Sequence, residues 1–135
     1  MSPELLHPGL FDIKDSRPTK ESDSYALGMV ILEVLSGHPP FKGFGGVDVI
    51  RMVTGGERPE RPTGSERVWF TDKLWRVLTQ CWESERDSRP GIDAIFECLE
   101  GVSSSWEPLP LQPDGEVGEE GQDTITASDS SGTVI

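Results

Sequence analysis

The chain has 135 residues, of which 34% are hydrophobic and 27% charged, and its four tryptophans argue against a wholly disordered protein. That length holds one modest core and no more. A net charge of -12 and a pI near 4.4 argue against nucleic acid or an anionic membrane as partner, because the dominant electrostatic term would be repulsive.

Up to Lys20 the residues Pro3, Pro8, Gly9 and Pro18 break long helices and allow one short turn around Glu4 to His7. Ser22 and Asp23 then read as N-cap residues of a strong helix. Tyr25, Gly28, Met29, Leu32 and Leu35 follow at helical spacing, with Leu27, Val30, Ile31 and Val34 on the other faces. A helix apolar nearly all round belongs in the middle of something. Gly37 is placed to end it, and Pro39-Pro40 prevents its resumption. Val47 to Val53 predicts a short helix, closed by Gly55-Gly56 and an extended stretch through Pro59 and Pro62. Thr71 and Asp72 open another, with Leu74, Val77, Leu78 and Cys81 on one face. Ile92, Ile95, Phe96 and Leu99 mark the last, with Pro90 near its first turn.

After Val102 the periodicity stops. Residues 103–135 carry seven acidic side chains and no Lys or Arg, and too few apolar groups to offset the entropy of ordering, so a disordered acidic tail is expected. The remainder holds 17 acidic and 12 basic residues, an ordinary balance for a cytosolic domain. The ordered part is therefore expected to be all-α with long connections. Met-Ser-Pro-Glu is no secretory leader, and the near-apolar run Tyr25 to Leu35 is too short to span a bilayer. Cys81 and Cys98 lack metal-ligand spacing and read as buried, reduced thiols, and the absence of Asn leaves no glycosylation sequon. An intracellular, cytoplasmic setting is expected.

Four motifs stand in order. Ser2-Pro3-Glu4 resembles an Ala-Pro-Glu motif; Thr19 to Gly28, with Ser22-Asp23-Ser24-Tyr25 inside it, resembles the start of a central F helix. Glu33 to Phe41 resembles that helix's exit, and Cys81-Trp82 followed after six residues by Arg89-Pro90 resembles an H-to-I helix segment. Together they resemble the C-terminal lobe of a protein kinase, most like the tyrosine kinase and tyrosine-kinase-like groups. The resemblance implies that residues 1–102 are the end of the activation segment and helices F to I, that is, the lower part of the helical C-lobe of an α+β parent, with the chain beginning mid-domain. It implies that Glu4 pairs with Arg89, that Asp23 holds the backbone of a catalytic loop, and that Gly28 and Trp82 are structural. The intact parent would transfer the γ-phosphoryl of Mg-ATP to protein hydroxyls.

These 135 residues contain no His-Arg-Asp, Asp-Phe-Gly or Val-Ala-Ile-Lys, and Gly43-Phe44-Gly45-Gly46 lacks the third glycine and preceding strand of a nucleotide loop. No catalytic, cofactor-binding or metal residue is therefore expected here, ATP and magnesium belonging to the parent, and the chain alone is expected to be inactive. His7 and His38 sit beside prolines, and Glu83, Glu85 and Asp87 alternate with Arg86 and Arg89, which reads as a charge-balanced turn. Uncovered apolar surface on the central helix calls for a protein partner. The alternatives are a non-catalytic module that docks partners through its helices and acidic tail, or a remnant. In the tail, Ser103 to Ser105, Thr124, Thr126, Ser128, Ser130 and Ser131 are hydroxyls in a setting acidophilic kinases use, and Thr133-Val134-Ile135 has the form of a PDZ ligand.

Overall fold

The structure, a computed structural model, describes residues 1–12, 14 and 17–105. Among them are five α-helices and no strand: α1 (Pro3–Leu6), α2 (Lys20–Ser36), α3 (Gly46–Thr54), α4 (Asp72–Cys81) and α5 (Ile92–Ser104), with 3-10 turns at Pro8–Phe11, Ser65–Trp69 and Arg86–Ser88. The last helix runs two residues past the expected boundary at Val102. The remaining tail, with its serines, threonines and C-terminal Thr133-Val134-Ile135, lies outside the described residues.

Helix α2 begins three residues earlier than a cap at Ser22 requires, and four earlier than one at Asp23. Thr19 is the N-cap: its backbone is extended, its Oγ1 accepts from the Ser22 amide at 3.3 Å, and Ser22 Oγ accepts from the Thr19 amide at 2.8 Å. This reciprocal box satisfies two otherwise free amides. Asp23 lies inside the first turn, exposed, so its expected capping role is corrected. At the other end Gly37 adopts φ 77°, a left-handed conformation that side chains resist, and donates its amide to the Glu33 carbonyl at 2.9 Å.

Tyr25, Gly28, Ile31 and Leu32 turn inward from α2 onto α4, whose Leu74, Leu78 and Cys81 meet them. Thr71 caps α4 as its sequence predicts, its Oγ1 accepting from the Leu74 amide at 3.2 Å. Ile95 and Cys98 of α5 close the other side of α4, while Ile92 and Phe96, which share the apolar pattern, point outward. Pro90 precedes the Gly91 cap rather than entering the first turn, and its carbonyl accepts from Ser24 Oγ at 2.8 Å. The core thus centres on α4. Helix α3 packs on α1 and sends Val53 inward, leaving Val47 and Ile50 exposed.

Thr19→Ala should lower stability by about 1 kcal/mol, the usual worth of a lost cap, whereas Asp23→Ala should cost less than about 0.5 kcal/mol. Chemical denaturation of the two variants, followed by circular dichroism, distinguishes them; a larger loss for Asp23→Ala than for Thr19→Ala would place the cap at Asp23.

Candidate functional site

Arg89 and Glu4 meet inside the fold. Arg89 Nη1 donates to Glu4 Oε1 at 2.7 Å and Nη2 to Oε2 at 3.0 Å, with both side chains almost wholly buried. Arg89 also donates from Nε to the Glu83 carbonyl at 2.9 Å and from Nη1 to the Glu21 carbonyl at 3.1 Å. Glu4 comes from α1, whose first position Pro3 starts with φ already helical, and Arg89 from the extended residue after the Arg86–Ser88 turn. Burial alone would push the Glu4 carboxyl up; the Arg89 hydrogen bonds and charge, together with a backbone amide, outweigh it and hold the carboxyl below its ordinary value.

The Tyr25 ring lies beneath this pair. Arg89 sits 5.1 Å and Arg58 5.5 Å from its centroid, a cation-π arrangement on a fully buried ring. Burial raises the phenol's pKa against the opposing pull of the two guanidinium groups. Among the described residues Arg58 has no carboxylate partner: it donates to the carbonyls of Trp82 at 2.6 Å, Glu57 at 2.7 Å and Val53 at 3.1 Å, clamping the end of α3 to the end of α4.

Gly28 and Trp82 are brought together by the close approach of α2 and α4. A Cβ on Gly28 would stand 2.8 Å from Trp82 Nε1 and 2.9 Å from Cys81 Cβ, so no larger residue fits without displacement. Trp82 packs edge-on against Trp75, with centroids 5.7 Å apart. Cys81 and Cys98 are free and buried, and burial pushes the Cys81 thiol up to about 11, which leaves it protonated and unreactive.

Of the five residues singled out in the sequence, Glu4 with Arg89 and Gly28 with Trp82 form two contacting pairs; Asp23 stands apart on the surface of α2, with no side-chain hydrogen bond or ion pair among the described residues. Arg58 was not anticipated. Its sequence neighbourhood falls in the extended stretch through Pro59 and Pro62, and only the folded loop shows that its partners are carbonyls. His38 Nδ1 lies 3.4 Å from the Pro39 carbonyl, and Glu83, Glu85 and Asp87 are exposed. A groove of about 590 Å³ runs between residues 38–44 and the stretch 57–66, lined by His38, Phe41, Phe44, Met52, Arg58 and Arg61. Its two arginines are committed elsewhere, Arg58 to carbonyls and Arg61 to the Phe70 carbonyl at 2.5 Å and to Asp72 at 2.8 Å. Among the described residues no three His, Cys, Asp or Glu side chains converge as a metal site would, and no helix is long and apolar enough to cross a membrane.

The sequence model of the protein tyrosine and serine/threonine kinase family matches residues 1–99. The chain belongs to the protein kinase family. Over 101 residues it is 36% identical to the proto-oncogene tyrosine-protein kinase ROS of Homo sapiens, covering 74% of this chain and 4% of that protein. Over 118 residues it is 29% identical to the leukocyte tyrosine kinase receptor of Mus musculus, covering 84% and 12%. Over 89 residues it is 28% identical to the probable serine/threonine-protein kinase drkD of Dictyostelium discoideum, covering 66% and 6%. The chain therefore spans a small fraction of the curated relatives it matches. The all-helical arrangement of its described residues agrees with a fragment of a kinase C-lobe.

Three outcomes test this geometry. Gly28→Ala should destabilise by about 1 to 3 kcal/mol through overpacking, in spite of alanine's better helix propensity; a neutral or higher thermal midpoint would mean that α2 and α4 do not approach this closely. Arg89→Ala leaves a buried carboxylate unpaired and should cost about 3 to 5 kcal/mol. The acid dependence has a definite sign: since the folded carboxyl titrates below 4.5, the stability from Glu4 is fully present above that pH and lost as pH falls through the depressed folded value. Acid unfolding of Glu4→Gln should lack this component.

Proposed function

We propose that this chain is the substrate-side helical part of a protein kinase domain, serving a parent that transfers the γ-phosphoryl of Mg-ATP to protein hydroxyls, and that these 135 residues alone transfer none. The reading is supported above all by the Glu4–Arg89 pair, which bonds the Ser2-Pro3-Glu4 segment to the Arg-Pro segment at the far end of a chain whose sequence matches the kinase family. Within that reading Asp23 is free to bond the backbone of a catalytic loop, since no described residue engages its side chain. Two buried, free cysteines fit a reducing, intracellular setting.

The residues present do not fit the nucleotide. Gly43 to Gly46 lead into the N-terminus of α3 rather than out of a strand, and the two arginines of the nearby groove are engaged with carbonyls or with Asp72. The groups that would hold and orient Mg-ATP are therefore assigned to sequence outside these 135 residues.

A second reading rests on the central helix. Val30 is 53% and Val34 72% exposed on a helix whose other face forms the core, and an apolar stripe of this kind favours a covering protein partner. Under this reading the chain docks another polypeptide, with its own catalysis absent.

Purified alone, the 135-residue chain should show no magnesium-dependent phosphate transfer to a general protein acceptor, and should self-associate or bind an apolar dye unless Val30 and Val34 are made polar. Reproducible transfer would overturn the first reading. A monodisperse chain that ignores the dye would overturn the second.

A further inference from the structure

We propose that Ser104 is a phosphorylation site whose phosphate is received by Lys73, locking the end of α5 onto the start of α4. Ser104 is the last residue of α5, is exposed, and its Oγ donates to the Glu100 carbonyl at 2.8 Å. Its surroundings select the modifying enzyme. No Lys or Arg follows Arg89, Ser105 rather than proline follows the acceptor, and Glu107 stands three residues beyond it, with Glu97 and Glu100 before it. A kinase that requires upstream basic residues or a following proline finds neither; one with a basic pocket for downstream carboxylates finds its partner.

The receiver comes from the neighbouring helix. Lys73 is the second residue of α4, exposed and in no ion pair among the described residues, and its Nζ lies 3.8 Å from the position a Cβ would occupy on Gly101. Ser104 follows Gly101 by three positions, hence shares its face of α5 one turn further on. The absent side chain of Gly101 leaves the path between ammonium and hydroxyl open. The N-terminus of α4 adds its own partial positive charge at the same end of the helix pair. Opposing charges are Asp72, already paired with Arg61, and Glu97 and Glu100 on α5 itself. The last turn of α5 has no basic residue, so in the absence of Lys73 a phosphate there would face only the helix's negative end.

In the transfer, Ser104 Oγ attacks the γ-phosphorus of Mg-ATP held by an acidophilic protein kinase. The Oγ–P bond forms, the bond to the β,γ-bridging oxygen breaks, ADP leaves, and the hydroxyl proton passes to that kinase's base. The product carries about -1.5 to -2 charge at neutral pH.

The full chain, incubated with an acidophilic kinase and Mg-ATP, should take phosphate at Ser104 by fragment mass spectrometry, with none at that position in Ser104→Ala and sharply less in Glu107→Gln. Hydrogen exchange at the amides of residues 101–105 should then slow about two- to fivefold, the ratio an exposed ion pair supports. Lys73→Gln should leave phosphorylation intact and abolish the slowing. No incorporation at Ser104 while a control acidic peptide is phosphorylated, incorporation at Ser103 or Ser105 in its place, no slowing, or slowing that survives Lys73→Gln would each overturn the proposal.

Discussion

The guanidinium of Arg89 holds together three segments that lie far apart in the chain. It grips the Glu4 carboxylate of α1 with two parallel hydrogen bonds, bonds the Glu21 carbonyl in the first turn of α2 and the Glu83 carbonyl just past α4, and lies over the Tyr25 ring. An arginine suits this position because its planar fork presents several donors in fixed directions and stays charged at any ordinary pH. A lysine could offer charge there but could not serve the carboxylate, two carbonyls and the ring at once. The short α1, only four residues long, has no stability of its own and owes its place to this grip and to its packing on α3.

A buried ion pair is poor evidence of net stabilisation, because removing two charges from water costs nearly as much as their attraction returns. Its contribution here is better understood as selection among arrangements. Any packing that shifts α1 or the Arg86–Ser88 turn leaves a carboxylate or guanidinium buried without its partner, which is far costlier than a misplaced leucine. Gly28 imposes a comparable condition through volume: Trp82 Nε1 and Cys81 Cβ occupy the space of a side chain that α2 does not have. One constraint is electrostatic and one steric, and both fix α2 against the end of α4 and the residues that follow it.

How much of this was legible in the sequence depended on range. The course of α2 was readable because its apolar run, Gly37 and Pro39-Pro40 are local signals, and Thr71 could be identified as a cap for the same reason. Its start was misread, since Ser22 and Asp23 are good capping types and the choice falls to Thr19 only because Ser22 can reciprocate from the third position. In α5 the apolar residues were visible, yet which of them face inward is decided by where α4 lies, so Ile92 and Phe96 were grouped with Ile95 although they point to solvent. Glu4 with Arg89 was anticipated from the motif resemblance alone; no local pattern links residues 85 positions apart. Arg58 carried no sequence signal, because its partners are carbonyls that any residue possesses.

Helix α2 joins these constraints to function. Its inner face is consumed by α4, and a helix with apolar residues on its remaining faces as well would be wasteful in a free-standing bundle, where polar groups would serve solubility better. Under the proposed reading α2 is a post with protein on more than one side, and Val30 and Val34 are buried by that partner surface. The pairs that hold this post upright, Glu4 with Arg89 and Gly28 with Trp82, are closed among these residues and require nothing from a nucleotide or a catalytic loop. Under the proposed reading, shape and chemistry are carried by different residues of the kinase domain, and the stability of the part that keeps the shape can be perturbed independently of phosphoryl transfer.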